Sequence, residues 1–440
     1  MQRENSLKHS SQTNSLIMTN KGRIESPKIV PILVVSYIWF VMWKPLVPLI
    51  PIIELRWFML AGISGAIFLL QGNRIIINQA AKMLLIILVP IIIGGLLGIF
   101  RSPQHQGQII YNTVGATAGL GSYYLLTQIL MYARARKFVL IALLFAGFFW
   151  GLEIVSRTIT LGAQARYTFS GWGPDGGDKN ALSLLFALCT VIFLTFFLFW
   201  EKSKTMSDFH YRIGRIIFFG ATVVCIFVSS LIYSRSGMLT TFSGISMILA
   251  IFFIKRRHSR MRIVITVIAS VAIFITSFLD IYLEVFPYWN IAVERVIGEQ
   301  SYDFNRGRYD TINKSSQIII ENPFIGIGSG IYKTTYIDVE SRHGKGTTAH
   351  NTYLSIMAES GIIGLVALII WISSYFRLLL RQYEAFNLVD RALMHSFIPF
   401  FAMMMFLDII GSLYFLAALF STIYYIYSSN QSNKFPQLSA

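Results

Sequence analysis

The chain has 440 residues, of which 55% are hydrophobic, 15% aromatic and only 13% charged, with a mean hydropathy of +0.60. Usage of this kind lies far outside that of a soluble domain and indicates a polytopic membrane protein. The net charge of +16 points away from a nucleic-acid partner, because it collects between apolar segments in the way membrane topology demands.

In chain order, residues 1–28 are polar and carry no apolar core followed by a small-residue cleavage site, so a cytoplasmic tail and no cleavable signal peptide are expected. A helix needs about 20 apolar residues to cross the roughly 30 Å hydrocarbon core, and about twelve segments approach that requirement. They fall near 29–43, 52–71, 83–100, 108–132, 138–155, 180–200, 216–233, 238–254, 263–286, 352–376, 393–410 and 412–428. With the first residue inside, the inner segments hold 23 Lys/Arg and the outer ones 13. ARARK (133–137) and KRRHSRMR (255–262) then face the cytoplasm, as the positive-inside rule requires. Both termini are cytoplasmic in this reading. The chain divides into the tail 1–28, nine membrane helices over 29–286, an outer loop 287–350, three further helices over 351–428 and a tail 429–440. Cys189 and Cys225 fall within spans, and no structural disulfide is expected.

Between the fifth and sixth spans, SRTITLGAQARYTFSGWGPDGGDKNA (156–181) is glycine-rich and ends with Asp178 and Asn180 beside the next helix start. Either residue suits a helix N-cap, and either suits a polar site at the outer face. SRSG (234–237) is a break of a few residues between two long spans. Its Arg235 is either a snorkelling turn residue or, as an ionisable group at a membrane-embedded turn, a functional one.

The outer loop 287–350 is far longer than the others and reads as folded, since aromatic and aliphatic residues run through it. GRYDTINKSSQIIIE (307–321) sets Tyr309, Ile312 and Ile319 on one helical stripe with Arg308, Thr311 and Ser315 beside it. In NPFIGIGSG (322–330), Pro323 ends that helix and the glycines permit tight turns or close backbone approach. The loop's seven Lys/Arg balance its seven Asp/Glu, so its arginines are local instruments and not a general basic field.

TTAHNTYLSIMAESGIIG (347–364) places His350 and Asn351 at the outer mouth of the tenth span and Glu359 within it. An imidazole there feels the positive end of the helix dipole, which disfavours protonation and keeps it able to accept a proton; it equally suits a cap or an interfacial hydrogen bonder. Asn351 suits a helix cap and Tyr353 an interface aromatic. Glu359 lies about 13 Å along an ideal helix from His350, too far to orient it. A buried carboxylate in a span needs a partner, and a structural tie to an arginine or polar neighbour is expected ahead of a proton role. Gly361 and Gly364 read as close helix-packing positions.

The ordered set of SRSG at a helix turn, GRYDTINKSS, NPFIGIGSGIY and AHNTYLSIMAESGIIG, preceded by GWGPDGGDKNALSLL, resembles the O-antigen ligase and polymerase superfamily. The likeness covers about residues 170–375; the first 150 residues agree only as a pattern of helices. It implies an all-α, GT-C-like fold of about 12 transmembrane helices with one large extracytoplasmic loop containing helices, in the bacterial inner membrane. The activity it implies is transfer of a glycan from undecaprenyl diphosphate to a sugar hydroxyl of lipid A-core or a similar acceptor. A polymerase joining repeat units on the same carrier is the alternative, and a small-anion transporter using the same arginines is a reading of another class. Arg235 and Arg308 match the family's functional arginines. Their fixed charge and planar donors suit a departing lipid diphosphate. Arg306 stands close enough to compete with Arg308. Ile312 replaces the tryptophan the family often carries four residues after its second arginine. His350 is the candidate base for the acceptor hydroxyl. No Asp-x-Asp metal motif and no GxxxxGK[ST] phosphate loop occur; the nearest acidic pair is Asp338 and Glu340. Neither a metal, a cofactor nor nucleotide hydrolysis is expected.

Overall fold

A computed structural model describes residues 79–101, 129–161, 179–232, 234–255, 312–328, 351–405 and 419–428, together with positions 106, 107, 110, 126, 127 and 332. The expected spans at 29–43, 52–71 and 263–286 lie outside the described residues, as do most of the 287–350 loop and both tails. Among the described residues the architecture is all-helical, without strands.

Seven helices carry the description: α1 (Gln79–Arg101), α2 (Ala133–Leu161), α3 (Lys179–Phe199), α4 (Asp208–Leu231), α5 (Arg235–Lys255), α6 (Thr352–Gln382) and α7 (Leu388–Met403). α2 to α6 are each long and apolar enough to cross a membrane, which makes this a multi-pass helical protein. Several helices outrun the apolar stretch that announces them, because their caps lie in polar sequence. α4 begins at Asp208, where the Ser207 hydroxyl accepts from the His210 N–H and the aspartate complements the helix dipole. α7 starts at Leu388, five residues ahead of the apolar run at 393, because the Asn387 side chain accepts from the Asp390 N–H.

α3 is the centre of the bundle, packed against α4, α5 and α7, while α1 runs along α6. The composition explains this order. α3 is apolar on all sides and buried along most of its length, whereas α4 leaves Phe209, Ile216, Ile217, Val224 and Phe227 exposed, a face suited to lipid. Between α6, α7 and the helix at 419–428 lies an aromatic core. Trp371 meets Phe401 and Phe420 edge-on at 5.6 and 5.4 Å, and Tyr375 packs on Phe401 at 5.0 Å. The Tyr375 hydroxyl finds its acceptor in the Met394 carbonyl at 2.8 Å, so the ring is buried without stranding its polar atom.

A buried ion pair closes the end of the bundle where α2 and α7 begin. Arg136 Nε donates to Asp390 Oδ1 at 2.6 Å and its other nitrogens reach Asp390 Oδ2 and the Leu130 and Met131 carbonyls. Asp390 Oδ2 also accepts from Tyr427 Oη and Asn387 Nδ2. Within ARARK, Arg134 and Lys137 are exposed as the charge pattern suggests, but Arg136 is not a surface charge: it is buried and bidentate on α7.

α6 is broken. Gly361 has φ +64° and ψ −164° inside an otherwise helical run, a conformation that side-chain-bearing residues avoid. The NPFIGIG segment mends the break. Ile327 and Gly328 N–H donate to the Ala358 and Glu359 carbonyls at 2.9 and 3.0 Å, and Ile362 and Ile363 N–H donate to the Pro323 and Phe324 carbonyls at 2.8 and 3.5 Å. Backbone groups that a kink would orphan are thereby paired. The fit leaves no room for Cβ atoms: one at Gly326 would stand 2.6 Å from the Ala358 oxygen, and one at Gly361 would collide with the Phe324 backbone. Gly361 is therefore a helix break and not the straight packing position the sequence suggests. α1 crosses at the same level, where a Cβ on Gly94 would lie 3.2 Å from the Glu359 oxygen.

The helix at 312–321 ends at Glu321, two residues before Pro323. Its inward face differs from the expected stripe. Ser315 is buried, with its hydroxyl 2.6 Å from Tyr332 Oη, and Ile318 and Ile319 pack near Tyr332 and Ala358, while Ile312 is exposed. Ile319 packs inward as expected, Ile312 does not, and Ser315, expected beside the stripe, is buried through its hydroxyl pair.

Candidate functional site at one end of the bundle

Four helix ends meet at the end opposite the Arg136–Asp390 pair. Lys179 opens α3, and Asn180 lies inside its first turn. Its Oδ1 accepts hydrogen bonds from Ser234 Oγ at 2.6 Å and Ser236 Oγ at 2.7 Å. Those serines flank Arg235, the first residue of α5. Ser234 also caps α5, since its Oγ accepts from the Gly237 N–H at 3.0 Å. Contact continues one turn further in, where a Cβ on Gly237 would collide with the Ser183 side chain. The starts of α3 and α5 are thus held together by one amide oxygen and a glycine contact.

From α5 the chain of contacts runs to α7 and then to α6. Thr240 Oγ1 points at Met403 Sδ, 3.8 Å away, at the finish of α7. The next residue, Met404, accepts from the Thr352 N–H at 2.8 Å, and Tyr353 Oη donates to the Phe401 carbonyl at 3.2 Å. Asn351 occupies the N-cap of α6, its side chain accepting from the Leu354 N–H at 3.1 Å. His350 is the residue before it. The backbone therefore brings the segment carrying Arg235 and the segment leading out of His350 to the same end of the molecule, although over a hundred residues separate them in sequence.

Not every predicted site residue is in view. His350, Arg306, Arg308 and Asp178 lie outside the described residues, and Arg235 is placed by its backbone as the first residue of α5. Asn180, read as a possible cap, sits past the cap position and acts as an acceptor for α5. Tyr353 is more than an interface aromatic, since its hydroxyl ties α6 to α7. Glu359 is buried at the broken turn, with its carbonyl bonded to Gly328. Sequence reasoning missed Ser234 and Ser236; the available signal was a pair of hydroxyl residues on either side of the arginine. Among the described residues, no three His, Cys, Asp or Glu side chains gather closely enough to hold a metal ion.

A multi-pass helical membrane protein with polar helix ends gathered at one end defines the class. Residues 220–369, from the middle of α4 to the middle of α6, match the family model described as O-antigen ligase, which supports the likeness to that superfamily. The match spans SRSG, the 312–321 helix, NPFIGIG and the broken turn of α6; it stops short of Asn180. A search of curated proteins found none that matches the chain. The match supports an O-antigen ligase or polymerase type of function in general terms.

Proposed function

We propose that the protein transfers a glycan from an undecaprenyl diphosphate carrier to a sugar hydroxyl of lipid A-core or a similar acceptor, at the outer face of the bacterial inner membrane. The observation that supports this reading is that the starts of α3, α5 and α6 and the finish of α7 lie at one end of the bundle. Transfer requires two things of the chain. The lipid diphosphate must leave with its growing negative charge compensated, a task for the fixed, planar guanidinium groups of Arg235 and Arg308. The acceptor oxygen must lose its proton as it attacks the anomeric carbon, and His350 takes it. The electron pair of the broken sugar–phosphate bond goes to the diphosphate, so no nucleotide is consumed.

The test is transfer by the purified protein of a labelled glycan from undecaprenyl diphosphate to each candidate acceptor. His350→Ala is expected to slow single-turnover transfer by ~10²- to 10⁴-fold with donor affinity nearly intact. Arg235→Lys and Arg308→Lys are expected to weaken donor use at normal expression, because lysine keeps the charge and loses the fork. Unchanged transfer in the His350 variant removes the base from the scheme. Products lengthened by repeat units would show a polymerase on the same carrier.

A further inference from the structure

The finish of α6 carries more positive charge than its neighbours neutralise. α6 is uncharged from Ser360 to Phe376, so Arg377 marks the level at which the helix leaves the hydrocarbon core. Arg381 follows four residues later, which puts two guanidinium groups on one face of the helix, where like charges repel. Both are exposed, and among the described residues neither has a hydrogen-bond or ion-pair partner. A third cation joins them from α5. Lys255, its last residue, donates from Nζ to the Leu380 carbonyl at 3.3 Å, and the same Nζ lies 5.8 Å from the centroid of the Tyr383 ring. The carboxylates of the adjoining turn and of α7 are already engaged: Glu384 stands 3.7 Å from Arg391, and Asp390 is bonded to Arg136. The dipole of α6 favours a cation at its finish, and Lys255 sits on a carbonyl there. The pair of guanidinium groups one turn apart is left for an anion from outside the bundle.

The surroundings of that pair say what kind of anion fits. Towards the membrane, the exposed face that holds Arg377 continues through Ser373, Ile370 and Ile369 of α6. Beside Lys255, the apolar residues Phe253, Ile254 and Leu380 are exposed as well. A phosphate group at Arg377 and Arg381 thus has apolar surface on one side and the aqueous end of the bundle on the other, which suits a phospholipid better than a soluble ion. We propose that the junction of α5 and α6 binds an anionic phospholipid, with its headgroup phosphate at Arg377, Arg381 and Lys255 and an acyl chain along Ser373 and Ile370. Charge complementarity commits the site to an anionic lipid, since a zwitterionic one brings a cation of its own to a place that already holds three. The site does not depend on the glycosyl-transfer reading, and its test involves no glycan.

The experiment reads the lipid beside Ser373, one turn from Arg377. A Ser373→Cys change carries a bimane fluorophore, with the full chain in vesicles of phosphatidylcholine and phosphatidylglycerol. Cys189 and Cys225 are buried, and the protein without the new cysteine serves as the labelling blank. Quenching by phosphatidylglycerol brominated on its acyl chains is compared with quenching by brominated phosphatidylcholine at the same mole fraction, a ratio in which the depth of the label cancels. The reference label is at Val224→Cys, on the exposed face of α4. The phosphatidylglycerol-to-phosphatidylcholine ratio is expected to be several-fold higher at 373 than at 224, because each cation near an anionic headgroup adds to the attraction. In the Arg377→Gln/Arg381→Gln background it is expected to fall to the value at 224, and in Arg377→Lys/Arg381→Lys to stay high, since the charge is kept. These side chains are exposed, so neither pair removes core packing. Equal ratios at 373 and 224 overturn the site, as does a high ratio at 373 that survives the glutamine pair. Quenching of the 373 label by neither lipid overturns it in favour of a protein cover.

Discussion

Replacing Gly361 by alanine tests whether the break in α6 is a built feature of the fold. The wild-type φ of +64° with ψ of −164° costs a residue bearing a Cβ about 1–3 kcal/mol. The new methyl also collides with the Phe324 carbonyl, and relief of that clash moves the loop away from the Ile362 and Ile363 N–H groups. Two hydrogen bonds at about 0.5–1.5 kcal/mol each are then lost. The sum is a destabilisation of about 2–6 kcal/mol. Gly220→Ala is the internal control, since Gly220 lies within α4 and nothing stands within 4 Å of its Cβ position. That change is expected to stabilise by up to about 1 kcal/mol through helix propensity. Unfolding free energies from titration of mixed micelles with dodecyl sulfate give both values. Equal stability of the two variants would refute the splice, because a straight helix treats both glycines alike.

Two further outcomes follow from the buried pair and from the absent metal motif. Arg136→Ala or Asp390→Ala is expected to cost about 3–5 kcal/mol in the same titration, since each leaves an uncompensated buried charge, whereas the Arg136→Met/Asp390→Leu double variant is expected to regain most of that loss; additive single effects would show that the pair is not coupled. Transfer of glycan is expected to continue undiminished in chelator, and restoration by one specific divalent ion after chelation would sink the account in which arginines alone carry the leaving group.

The caps and helix ends were legible because their signals are local. Asn351 precedes an apolar run and caps α6; Pro323 follows the end of the 312–321 helix; Arg235 marks the turn at which α5 begins. Features made by distant partners were hidden. Nothing around ARARK reveals that Arg136 meets Asp390, 254 residues away, so the motif reads only as topology. Gly361 looks like one more small residue in a membrane helix, because its positive φ is imposed by carbonyls and amides of residues 323–328. The stripe expected over 309–319 holds at Ile319 and fails at Ile312, and Ser315, expected beside it, is buried instead, for a related reason. Periodicity reports which residues are apolar, and the Tyr332 hydroxyl that accommodates Ser315 lies outside the window being read.

Asn180 connects the fold to the proposed chemistry, and its replacement separates positioning from mere packing. Its oxygen takes hydroxyl hydrogens from Ser234 and Ser236 at 2.6 and 2.7 Å, and both serines are buried. Asn180→Leu keeps the volume and removes the acceptor, at a cost of about 1–3 kcal/mol for each buried hydroxyl left without its partner. Asn180→Asp keeps an acceptor oxygen at that position and is expected to restore most of that stability. If the network also sets the backbone from which Arg235 projects, Asn180→Leu is expected to reduce donor use in the wild-type background and to add little once Arg235 is lysine, since residues acting through one group are not additive. An equal fold-loss in both backgrounds would leave Asn180 a packing residue, and the tie between α3 and α5 would then hold the bundle together without aiming the arginine.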